Sequence, residues 1–70
     1  MTKKTLEKLT DNARDILEGY KRDLKKYDGN GQETYYQYTR YKVLGFLEGL
    51  QVAGVITEEE RRVLYTYATL

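Results

Sequence analysis

Val43-Leu44-Gly45-Phe46-Leu47-Glu48-Gly49-Leu50-Gln51-Val52-Ala53-Gly54-Val55-Ile56-Thr57-Glu58-Glu59-Glu60 is the stretch that decides the fold. On a helix, Val43, Leu44, Phe46, Leu47, Leu50 and Ala53 spread over an arc broad enough to meet two neighbours, which marks a central helix. Gly54 tolerates the left-handed backbone that closes a helix, and Val55 then folds back towards Leu50, the contact of a Schellman cap. Thr57 and Glu60 carry the reciprocal capping-box spacing of a new helix, with Glu58, Glu59 and Glu60 at its positive end. The segment therefore predicts a helix, a tight turn and a second helix.

Upstream, Leu6, Leu9, Ala13, Ile16, Leu17, Tyr20, Leu24 and Tyr27 recur in steps of three and four. That spacing predicts one amphipathic helix running from Leu6 to Tyr27, with Glu18 and Arg22 placed to pair on its solvent side. Asp28-Gly29-Asn30-Gly31 stops it, and Asn30 followed by Glu33 predicts the start of a second helix over Glu33 to Ala53. A third helix runs from Glu58 towards Tyr67. Asp28-x-Asn30-x-Gln32 touches on a calcium-loop pattern, but Glu33 stands where that loop needs glycine and Thr39 where it needs a bidentate Glu. The expected fold is all-α: one domain, residues 1–70, a compact three-helix bundle of two longer helices and a shorter C-terminal one. Its expected core is Leu17, Leu24, Leu44, Leu47, Leu50, Ile56 and Leu64.

The chain contains no His, Cys, Ser, Trp or Pro. The commonest general base, the usual thiol and hydroxyl nucleophiles and the soft metal ligands are thus missing, and neither a cofactor nor a metal is expected. Twelve basic and eleven acidic residues leave a net charge of +1, with the signs interspersed, so no strong field steers the chain onto nucleic acid or an anionic membrane. No apolar run is long enough to cross a bilayer of roughly 30 Å, and the charged N-terminal residues do not read as a secretion signal. A cytoplasmic protein that does not enter membranes is the expectation.

What stands out is tyrosine, eight in 70 residues, with Tyr35, Tyr36, Tyr38 and Tyr41 clustered at the start of the second helix. Tyrosine combines a large rigid ring with a polar tip, which suits surfaces that are wet when free and covered when bound. These four occupy several sides of a helix, so a thin core cannot take them all; Tyr35 and Tyr38 are placed to pack near Leu24 and Tyr27. With Arg40 and Lys42 beside them they form a candidate partner-binding surface. The same rings and cations also fit weak stacking on single-stranded nucleic acid, although the acidic residues oppose it. A helix-turn-helix reading fails because the would-be recognition helix opens with three carboxylates. Gly45 and Gly49, four residues apart inside a helix, suggest the close approach of another helix.

From Leu47 to Leu70 the chain resembles the short C-terminal oligomerisation motif known as SHOCT, through Leu47-x-x-Leu50-x-x-Ala53-Gly54-Val55-Ile56-Thr57-x-x-Glu60. Arg61 departs from that motif's usual aromatic, and Tyr65, Tyr67 and Leu70 replace its closing leucines. The resemblance implies association rather than catalysis. A chain this short, without disulfides or metals, also has little apolar burial to spare, which favours oligomers. Together these readings predict a non-enzymatic interaction module, a regulator or inhibitor acting on an unknown protein partner, with a homodimer as the expected assembly.

Overall fold

A computed structural model describes residues 2–70, so the first residue of the expected domain lies outside it. The described residues form helices α1 (Thr2–Glu7), α2 (Asp11–Tyr27), α3 (Glu33–Val52) and α4 (Glu58–Thr69), with no strand among them. The all-α expectation holds, but there are four helices where three were expected.

The difference lies at Lys8, Leu9 and Thr10, where the expected helix over Leu6 to Tyr27 is broken. Thr10 has an extended backbone, and its hydroxyl accepts a hydrogen bond from the Ala13 amide at 3.1 Å, so it caps α2 rather than continuing α1. Arg14 reaches back to satisfy the end of α1, its guanidinium donating to the Leu6 and Leu9 carbonyls at 3.2 and 3.0 Å. The break leaves Leu9 in the core at 3% exposure. Spacings of three and four continue through the interruption, and Thr10 lacks the Glu three residues on that would complete a capping box, so periodicity alone conceals the break.

Between α2 and α3 the chain turns through Gly29 and Gly31, at φ 71° and 81°. Asn30 does not start α3 as expected. Its side-chain amide donates back to the Lys26 carbonyl at the end of α2, and Gln32 stands at the N-cap of α3 without a side-chain capping bond. At the other end of α3 the expected turn is present. Gly54 has φ 80°, the Val55 amide bonds the Leu50 carbonyl at 2.9 Å and the Gly54 amide bonds that of Gln51 at 3.0 Å, the two bonds of a Schellman motif. The Thr57–Glu60 capping box then closes at 3.1 and 2.8 Å. Glu60 also pairs with Lys8 at 2.6 Å, tying the α1–α2 junction to the start of α4.

α3 packs against both α2 and α4, as a central helix must. The core consists of Leu9, Leu17, Leu24, Val43, Leu47, Ile56, Leu64 and Ala68. Leu44 and Leu50, expected in it, are half-buried, because Val43 and Leu47 occupy the middle of α3's inner face and those two flank it. Thr39 is buried as well, and its hydroxyl is satisfied by the Tyr35 carbonyl at 2.8 Å. The molecule measures 36 × 20 × 19 Å. Its long axis is close to the length of α3, since 20 residues at about 1.5 Å each span ~30 Å.

Candidate interaction surface

The early turns of α3 distribute the tyrosine cluster between inside and outside. Tyr36 packs against the core. Arg40 lies 5.9 Å from the Tyr36 ring and 5.8 Å from the Tyr65 ring, and donates to the Tyr65 hydroxyl at 3.1 and 3.3 Å. Those hydrogen bonds, with the nearby phenols, push the Arg40 pKa above its ordinary value. Arg40 and Tyr36, read from sequence as contacts for a partner, are thus engaged in joining α3 to α4. Tyr35 sets its ring beside Tyr27, centroids 5.6 Å apart, but stays 60% exposed and outside the core, so only the Tyr27 part of the expected packing at the end of α2 forms.

Tyr38 and Tyr41 point away from the bundle at 60% and 71% exposure. The expected packing of Tyr38 near Leu24 and Tyr27 is replaced by a contact with Lys42, whose ammonium lies 4.6 Å from its ring. Beyond them on the same side come Gly45, Gly49 and Val52, the last 90% exposed. A Cβ added at either glycine would meet no atom within 4 Å, so neither accommodates a neighbouring helix of the same chain. Positions 38, 41, 45, 49 and 52 are separated by three or four residues and form one continuous stripe opposite Val43 and Leu47. Beside its first half, Glu33, Thr34, Gln37, Tyr38 and Tyr41 line a shallow, mainly apolar groove of about 480 Å³.

A second open depression, about 490 Å³, lies between α2 and α4 beside Lys21, Arg62, Val63, Tyr67 and Leu70. Its polar groups serve the fold. The Lys21 ammonium donates to the Tyr67 carbonyl at 3.2 Å and sits 3.7 Å from the Tyr67 ring, closing the end of α4. The Tyr67 hydroxyl donates to Glu18, which together with burial raises the phenol's pKa. Glu18 is therefore engaged with α4 rather than in the expected pair with Arg22. A phenol held more firmly protonated is poorly suited to act as a base. Among the described residues no group of three or more His, Cys, Asp or Glu side chains could hold a metal ion, and no helix is long and apolar enough to cross a membrane.

Two parts of the surface were not legible in the sequence: the Lys21–Tyr67–Glu18 cluster and the engagement of Arg40 with Tyr65. Both depend on α4 running back along α2 and α3. Val52, by contrast, continues the spacing of Tyr38, Tyr41, Gly45 and Gly49 and lies beside them as that spacing predicts. Compared with protein families, curated proteins and solved structures, the chain gives no significant match.

Proposed function

We propose that this protein is a non-enzymatic interaction module, a small regulator or inhibitor that associates with protein through the outward face of α3. The observation that carries this reading is the exposure of Tyr38 and Tyr41 on one stripe with Val52 at 90%. Exposed aromatics on a helical face are among the residues that dominate protein interfaces when covered. Tyr38 and Tyr41 supply the contact, Tyr35 and Lys42 its edge, and Tyr36 with Arg40 hold the helix in place. The SHOCT resemblance favours the same reading.

The test is association measured for Tyr38→Ala and Tyr41→Ala at physiological salt, with affinity capture supplying any partner other than the protein itself. Each substitution should weaken binding by more than about 1 kcal/mol, as interface hot spots do. Association insensitive to both overturns the reading. Tight oligonucleotide binding at the same salt, lost in the same variants, would favour the single-stranded nucleic-acid alternative, whose affinity otherwise falls steeply as salt displaces phosphate contacts.

A further inference from the structure

Tyr38, Tyr41, Gly45, Gly49 and Val52 run exposed along α3, with the Lys42 ammonium of the same helix over the Tyr38 ring. The two rings lie towards one end of the stripe, Gly49 and Val52 towards the other, and Gly45 between them. A face with that asymmetry fits a reversed copy of itself. A two-fold axis at Gly45 sets Tyr41 against Gly49, Tyr38 against Val52 and Gly45 against Gly45, so one ring meets a glycine, the other an exposed valine, and neither meets a second ring. Parallel pairing would instead set ring against ring and hold the helices apart at their glycines.

We propose that the protein forms an antiparallel homodimer through this face of α3, an inference that rests on the interaction reading above and names its partner. Polar groups fit the same arrangement. Tyr41 and Glu48 are seven residues apart and share one edge of the stripe. Antiparallel packing brings like edges together, which sets the Tyr41 hydroxyl of one copy beside the Glu48 carboxylate of the other. Neither side chain has a hydrogen bond or ion pair among the described residues, so each is free to bond the other copy. A phenol donating to a carboxylate is a charge-assisted hydrogen bond.

The area is sufficient when the whole helix takes part. An aromatic side chain buries about 150–250 Å², so rings already 60% and 71% exposed offer roughly 200–330 Å² per copy. With Val52, Thr34, Lys42 and Glu48 added, a face ~30 Å long reaches roughly 600 Å² per copy, or about 1,200 Å² in total, the lower bound for stable interfaces. A short docked peptide covering half the stripe falls below that bound. The expected dimer dissociates in the micromolar range.

Because the chain has no cysteine, single introduced cysteines report the register cleanly. Tyr38→Cys and Val52→Cys proteins, mixed and mildly oxidised, should form the 38-to-52 disulfide in excess over either self-linked product; predominance of the self-linked products overturns the antiparallel register. Gly45→Leu should keep its helical circular dichroism, since that position is open, yet sediment as a monomer where the wild type dimerises. Retention of wild-type dimerisation in Gly45→Leu overturns the proposal. A wild type that stays monomeric to millimolar concentration also overturns it, and the interaction reading then survives if Tyr38 and Tyr41 are still needed to bind another protein.

Discussion

Replacing Gly45 by alanine should stabilise the isolated fold while weakening its association. Gly45 lies inside α3, and a Cβ there meets nothing within 4 Å. The substitution therefore gains helix propensity without a clash, about 0.8–1 kcal/mol. Part of that gain is the smaller entropy of the unfolded chain. In a domain of this size 1 kcal/mol raises Tm by roughly 4–8 °C. Thermal unfolding followed by circular dichroism at low micromolar concentration isolates this effect. Repeating the melt at high concentration should shrink the advantage, because the wild type is then further stabilised by mass action through its dimer and the variant less so. A variant less stable than the wild type in dilute solution would refute the reasoning, since it would mean that the glycine face is packed within the chain.

Leu47 is fully buried at the centre of α3, and Leu47→Ala should destabilise the fold by about 2–5 kcal/mol in urea unfolding; a loss within ~0.5 kcal/mol would remove the basis for a core centred there. Gly54→Val places a β-branched side chain at φ 80° and should cost at least about 1–2 kcal/mol, whereas an unchanged Tm would mean that the turn rearranges at no cost. The Lys8 ammonium and the Thr57 amide hold the Glu60 carboxyl below its ordinary pKa. Its contribution is present above that ordinary value and is lost as pH falls through the lowered folded one, so below about pH 5 the wild type should lose Tm faster than Glu60→Gln. Parallel pH profiles for the two proteins would count against the Lys8–Glu60 tie.

How much of this was readable from residues depends on how local each signal is. The turn at Gly54 and the cap at Thr57 are set by neighbours within a few positions, and both form as read. The break before α2 was concealed because Leu9 and Ala13 keep helical spacing on either side of Thr10, and the carbonyls it frees are satisfied by Arg14 from the following helix. Asn30 was assigned to the wrong helix for a similar reason: its short amide can serve the helix behind it as well as the one ahead. For the tyrosines, sequence established that some must face outward but not which. Partial burial of Tyr36 and exposure of Tyr41 follow from where α2 and α4 lie against α3, which is a tertiary fact.

Sedimentation velocity across a concentration series at physiological salt, with the wild type beside a Tyr38→Ala, Tyr41→Ala double variant of unchanged helicity, tests the outward face of α3 most directly. The wild type should shift reversibly from monomer to dimer in the micromolar range, and the double variant should remain monomeric. A dimer that persists without both rings would contradict the role given to the outward face of α3, and a wild type that sediments as a monomer throughout would contradict its self-association.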